Sequence, residues 1–473
     1  MNQASPTPPR TVLRGGWIAT PRQPARTPLV RSEQRSPIPD PNLGHALPPV
    51  VREADIAVVD GRIAAVGAVG GIADDDVIDC RGCLVTAGLV NTHHHLYQWL
   101  TRGRAVDDGL FGWLQTLYPV WARMRPEDVH AAALVGLAEL ARSGTTTVAD
   151  HHYLVPGGDD SVFDAIALAA GRVGVRLHLS RGSMDLGERH GGLPPDSVVE
   201  ETDDILRSCE EVVSRLHDGE RVWVNLAPCS PFSVSRELLR ESAALAARLG
   251  VRLHTHLAET LDEERAALAQ YAMRPVAVLE DLGWIAPTTW IAHGIHLDTA
   301  ELTRLGEART GVAHCPSSNG RLGSGICPVP ALRKAGAPVG LGVDGAASNE
   351  VGALQPELRQ ALVLARLATG NPGAFGPPDA LELATSGGAA CLGMPDVGLL
   401  VEGARADLAV WDLSDAPDMD DPLAALVLGP GRTVRTLLVA GQRVVDSGAL
   451  VRVDLPAARQ ELATRARQLW ARR

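Results

Sequence analysis

Eight short apolar runs, each separated from the next by a helix-like stretch and most closing on a polar residue, constrain this chain more than any other feature. The runs are "CLVTAGLVNTH" to His93, "TTTVAD" to Asp150, "RVGVRLHLS" to Ser180, "RVWVNLAP" to Pro228, "VRLHTH" to His256, "TTWIAH" to His293, "GVAH" to His314 and "APVGLGVD" to Asp344. Between the first two lies "PEDVHAAALVGLAELARSG", where Pro126 suits a first helical turn and Gly144 a stop. Eight strands alternating with helices predict a parallel (β/α)8 barrel, an α/β fold whose active site lies at the C-terminal ends of the strands.

The two ends of the chain read differently. "ADIAVVDGRIAAVGAV" gives two β runs around Asp60-Gly61, and "VRTLLVAGQRVVDSGAL" gives two more around Ala440-Gly441. Both ends therefore belong to one small β-sandwich domain. The expected division is 1–86 and 396–473 for that domain and 87–395 for the barrel. Residues 21–50, rich in Pro, Ser and Arg, read as a long loop.

At 473 residues the chain has room for both units, and 21% charged residues with 45% hydrophobic ones are ordinary for a soluble protein. A net charge of -12 without a dense basic run argues against a nucleic-acid polymer as partner. No stretch has the length of a membrane span or the pattern of a signal peptide, so a cytoplasmic protein is expected. The seven cysteines fit reduced thiols, and Cys80-x-x-Cys83 has no second pair with which to build a zinc ribbon.

The polar residues at the strand ends carry the chemistry. On a strand, residues two apart share a face, so in "NTHHHL" His93 and His95 converge while His94 turns away. In "LHTHLAET" either His254 or His256 could join them; Glu259, three residues beyond His256 and turning over the rim, favours His256 as the ligand and leaves His254 to inner barrel packing. With Asp344 these make three imidazoles and a carboxylate around one mouth, a donor set for a catalytic zinc ion with a position left open for water. The competing role for Glu259 is a helix cap and for Asp344 a turn. Gly340, Gly342 and Gly345 also spell G-x-G-x-x-G, but at the end of the strand series and with Asp344 facing any pyrophosphate.

In this order "GLVNTHHH", "HTHLAET", "AHGIHLD", "HCPSSN" and "GLGVDGAASNE" resemble the amidohydrolase superfamily across essentially the whole barrel. The only lysine, Lys334, lies in "ALRKAG" after the seventh strand, where it cannot serve as the bridge of two-metal members. The resemblance therefore implies the branch with one divalent ion per chain, Zn2+ with Fe2+ as the alternative, and within it "NTHHHLYQWLTRG", "GTTTVADHHYLVP" and "RGSMDLGERHGGLPPDSV" are most similar to bacterial 8-oxoguanine deaminases. Gly320, Gly323, Ala346 and Glu350 depart from that pattern and bear on ring specificity.

The activity so implied is hydrolytic deamination of an amino-purine, 8-oxoguanine to urate and ammonia. The alternatives are guanine, isocytosine, a pterin or a hydroxytriazine as substrate, or a catalytically silent ligand-binding barrel. Glu259 is then the proton shuttle, Asp344 a ligand that takes the water proton, and His293 a group that holds or polarises that water. Gln98, Trp121 and Tyr153 are the candidate ring contacts, with His314 and Asn319 beside them. The expected partners are the small heterocycle and further copies of the chain as a homo-oligomer, with no membrane.

Overall fold

The computed structural model describes residues 10–22, 47–72 and 74–472. Most of the expected loop 21–50 lies outside them; its two ends are strand, because β1 (Thr11–Arg22) and β2 (Leu47–Val59) pair in antiparallel register from Thr11↔Val58 to Arg22↔Leu47. β3 (Arg62–Gly67), β4 (Asp76–Asp79) and β5 (Cys83–Ala87) complete the N-terminal share of the sheet. The Asp60-Gly61 turn joining β2 to β3 has both residues at positive φ, 49° and 72°, as a two-residue hairpin turn requires.

The barrel strands follow. They are β6 (Leu89–Asn91), β7 (Thr145–His152), β8 (Arg176–Ser183), β9 (Val222–Pro228), β10 (Leu253–Leu257), β11 (Thr289–His293), β12 (Gly311–His314) and β13 (Val339–Leu341), all parallel and closed in that order. Each corresponds to one of the eight apolar runs. The first run is divided, however: Cys83–Ala87 enters the terminal sheet and only Leu89–Asn91 the barrel, with Gly88 between. Sequence pattern reads this as one strand because both halves are buried. A Cβ at Gly88 would lie 2.3 Å from the Thr146 side chain, so only glycine lets the chain pass from one sheet to the other against β7.

β14 (Leu408–Asp412), β15 (Thr436–Val439), β16 (Gln442–Asp446) and β17 (Ala449–Leu450) return to the terminal sheet, where β14 pairs with β5. Its nine strands form one hydrogen-bonded sheet built from both ends of the chain, with β4 branching from β1. Ile18, Ile56, Val85, Leu408 and Leu438 are among its buried core residues. The Ala440-Gly441 turn repeats the geometry of Asp60-Gly61, at φ 49° and 72°. A buried ion pair ties the two units together: Arg176 at the start of β8 donates to both Asp407 oxygens at 2.7 and 3.1 Å. Helix Leu455–Ala471 leaves the sheet and packs on helix Pro126–Arg142, with Arg465 3.5 Å from the buried Asp128.

Candidate active site

At the mouth of the barrel the histidine tautomers follow from what each ring touches, because a carbonyl oxygen only accepts. His95 Nδ1 donates to the His151 carbonyl at 2.6 Å, and His256 Nδ1 to the Cys229 carbonyl at 2.7 Å. Both Nε2 atoms therefore carry lone pairs, and they face each other 3.0 Å apart. His254 Nδ1 donates to the Trp290 carbonyl at 2.9 Å, so its Nε2 accepts from His93 Nδ1, also at 2.9 Å. This leaves the His93 Nε2 lone pair buried and without a hydrogen-bond partner.

Asp344 Oδ1 lies 3.5 Å from His93 Nε2 and 3.4 Å from His95 Nε2. Its orientation is fixed by Ser318 Oγ, which donates to Oδ2 at 2.6 Å, and by the Gly345 N–H, which donates to Oδ1 at 2.7 Å. Four acceptors thus point at one place and would repel one another without a cation. Their chemistry and convergence fit a single divalent ion. Burial holds His93, His95 and His256 below their ordinary pKa, and therefore neutral. Burial alone would raise Asp344, but the close approach of His93 and His95 outweighs it and keeps the carboxyl well below the usual range. Neutral imidazoles and an ionised carboxylate are the forms a metal takes.

Next to this set, Glu259 Oε2 stands 3.5 Å from His293 Nε2. His293 Nδ1 donates to Asn319 Oδ1 at 2.9 Å, and Ser324 Oγ reaches Glu259 Oε1 at 3.4 Å. Burial pushes the Glu259 carboxyl up to about 7, against the pull of His293. For His293 burial works downward, but Glu259 and Asp344 outweigh it, so its pKa is raised. Glu263 holds the turn that presents Glu259, accepting from the Ala258 and Glu259 N–H groups at 3.0 and 2.8 Å. His293 and Asp344 both adopt positive φ, 76° and 62°. That conformation costs a non-glycine residue about 1–3 kcal/mol and gathers where function demands it.

The sequence-derived residues fall into three groups. His93, His95, His256, Asp344, Glu259 and His293 come together as described. His94 turns away, its Nδ1 accepting from the His95 N–H at 2.8 Å. Gln98 and Tyr153 line the cavity above the donor set; a Cβ on Gly345 would fall 1.8 Å from Gln98 Oε1, so glycine there makes room for that amide. His314 and Asn319 are buried at the seventh strand and the helix after it, outside the cavity wall. Trp121 is the correction: it is fully buried behind the wall, donating its indole N–H to Thr101 Oγ1 at 3.0 Å, and is not among the lining residues.

Sequence reasoning missed most of that wall. Leu110, Trp113, Leu114 and Tyr118 come from helix Leu110–Trp121, and Cys229, Ser230 and Phe232 from the segment after β9. Phe111 meets Phe232 with ring centroids 5.4 Å apart, joining the two segments. The available signal was the run of aromatics "LFGWLQTLYPVW" at residues 110–121, between the first barrel strand and the second. His254 was read as packing; it is also the acceptor that orients His93. His151, whose carbonyl orients His95, was not singled out.

Residues 84–444 match the amidohydrolase family, and the chain belongs to that family. Over 387 residues it is 52% identical to the 8-oxoguanine deaminase of Pseudomonas aeruginosa, covering 80% of this chain and 86% of that one. Over 443 residues it is 37% identical to an isoxanthopterin deaminase of an unknown prokaryotic organism, covering 88% and 91%. Among solved structures, atrazine chlorohydrolase from Arthrobacter aurescens TC1 complexed with zinc superposes with a TM-score of 0.86 at 31% identity, over 96% of this chain and 100% of that chain.

Proposed function

We propose that the protein is a zinc-dependent aminohydrolase that deaminates 8-oxoguanine to urate and ammonia. The observation that carries this reading is the convergence of three imidazole lone pairs and Asp344 beside a Glu259 carboxyl whose pKa burial raises to about 7. The 52% identity to a deaminase of that base supports the choice of ring.

His93, His95, His256 and Asp344 would hold the ion, which would supply Lewis acidity to make water a nucleophile near neutral pH. Asp344 Oδ1 takes a proton from the attacking water, its Oδ2 being held by Ser318. Glu259 donates its proton to the ring nitrogen beside the amino-bearing carbon, so that carbon becomes electrophilic as water adds. His293, held by Asn319, keeps its Nε2 against Glu259 and orients the water. The proton taken by Asp344 then passes to the amine, ammonia leaves with the C–N bond broken, and the remaining hydroxyl proton returns to Glu259 as the new carbonyl forms. Gln98 and Tyr153 contact the ring edge, and the apolar wall excludes bulk water.

Gly320 and Gly323 have open space where a side chain would stand, Ala346 is buried, and Glu350 pairs with Arg321 at 3.2 Å. None of the four lines the cavity. Among the described residues no helix is long and apolar enough to cross a membrane; a cytoplasmic homo-oligomer is the proposed setting. Ammonia release from zinc-loaded protein across 8-oxoguanine, guanine, isocytosine, isoxanthopterin and hydroxytriazines tests the function. The highest kcat/KM is expected for 8-oxoguanine, with urate as product; higher turnover of isoxanthopterin reassigns the ring, and no ammonia from any compound makes the barrel a binding protein.

A further inference from the structure

Two turns meet at the carboxylate of Asp344: the one after β12, which carries Ser318, and the one after β13, which carries Asp344 itself. A third element spans them. Glu357, in the first turn of helix Gln355–Thr369, is buried and reaches both. Its Oε2 accepts from the Ser317 N–H at 3.1 Å and its Oε1 from Asn349 Nδ2 at 3.0 Å. Asn349 Nδ2 also donates to the Val343 carbonyl at 2.9 Å, and the Asn349 N–H to the Gly345 carbonyl at 2.9 Å, so this residue brackets Asp344 on either side in sequence. On the other arm, Ser317 precedes Ser318, whose hydroxyl donates to Asp344 Oδ2.

An acidic residue in a first helical turn suits the helix dipole, but that role needs neither burial nor a partner in two separate turns. Burial pushes the Glu357 carboxyl up to about 7 against the donors of Ser317 and Asn349, so the contact is kept at a cost. Asp344 stands at φ 62°, a conformation that lasts only where the surroundings impose it. We propose that Glu357 is a positioning residue: by joining the turns after β12 and β13 it holds Asp344 Oδ1 toward His93 and His95. This rests on the reading that Asp344 is a donor to the ion. Glu357 is not part of the cavity wall, so its loss should act on metal retention and on the proton taken from water, and leave the ring contacts alone.

Glu357→Gln sets an amide NH2 against one of the two N–H donors and opens one arm at nearly constant volume. The test combines steady-state kinetics of ammonia release, zinc affinity by competition with a chelator, and the visible absorption of Co2+-loaded protein, which reports the geometry of the donor set. The variant should lose about 10- to 100-fold in zinc affinity and show altered Co2+ bands. At saturating zinc its kcat should fall while KM stays within about twofold of wild type. Asn349→Ala opens the other arm and should give the same pattern, which keeps the test decisive if Glu357→Gln does not fold. Unchanged Co2+ bands with zinc affinity within about twofold of wild type, in either folded variant, overturn the proposal whatever happens to thermal stability. Asp344→Ala separates the two readings: wild-type zinc affinity and Co2+ bands there mean that Asp344 is no donor, whereas altered bands there with an unchanged Glu357→Gln remove only the positioning role.

Discussion

The spacing His-x-His occurs twice at the mouth of this barrel, at His93–His95 and at His254–His256, and the two copies do different work. His254 and His256 both lie within β10, where residues two apart are separated by roughly 6–7 Å along the strand. One ring therefore sits at the rim, with the other a layer deeper, where it meets His93 from below. The other pair lies beyond β6, which ends at Asn91. There the chain has left the ladder, and the His93 and His95 rings approach to 4.7 Å between centroids. In this barrel the pair beyond the strand brings both rings to the mouth, and the pair within the strand brings one.

The largest effect that bears on this contrast is loss of a rim ring: His95→Ala or His256→Ala should be metal-free after dialysis and inactive, whereas retention of zinc by either would return that ring to packing. Glu259→Gln should keep its zinc and lose about 100- to 10,000-fold in kcat, since it removes a proton carrier and no donor. Loss of metal in that variant would place Glu259 among the donors. His254→Gln sharpens the comparison most directly, with zinc affinity expected to drop about 10- to 100-fold through misorientation of His93. Complete loss of metal would make the two copies equivalent after all.

The pH profile gives a smaller effect. Burial raises the Glu259 pKa from 4.5 to about 7, so the protonated form is present below that value and disappears as pH rises through it. The kcat should then fall by about tenfold per pH unit above neutrality; a rate that stays level up to pH ~9 would exclude a carboxylic acid donor. His94→Asn comes last. It should retain zinc at wild-type affinity and lose only what its contact with the His95 N–H contributes.

The barrel, the two-ended sheet and the gathering of polar residues at one mouth were legible in the sequence, for a physical reason. Strand ends in a closed barrel meet at one mouth, so polar residues there announce themselves against apolar runs. The inference that His93 and His95 face one way and His94 the other reached the right outcome from strand alternation, although the three residues lie past the strand. What remained hidden depended on contacts with no local pattern. The division at Gly88 is set by Thr146, on another strand. The positive φ of His293 and Asp344 is imposed by their surroundings, since neither residue type prefers it. Trp121 looked like a ring contact because aromatics near a site can either stack on a ligand or fill the wall behind it, and nothing in "LYPVW" distinguishes the two.

The junction of β13 with β6 aligns Leu341 with Asn91, 250 positions apart, and is closed by the Thr92 N–H on the Leu341 carbonyl, the Asp344 N–H on the His93 carbonyl and the Val343 N–H on Asn91 Oδ1. During synthesis the first barrel strand must therefore wait, unclosed, until the last one has emerged. Contacts between such distant positions form late because of the entropy of the intervening chain. His93 and His95 stand on one side of this junction and Asp344 on the other, so an ion between them acts as a clasp across the last gap to shut. A chelator should then speed the unfolding of the whole barrel, beginning at that gap.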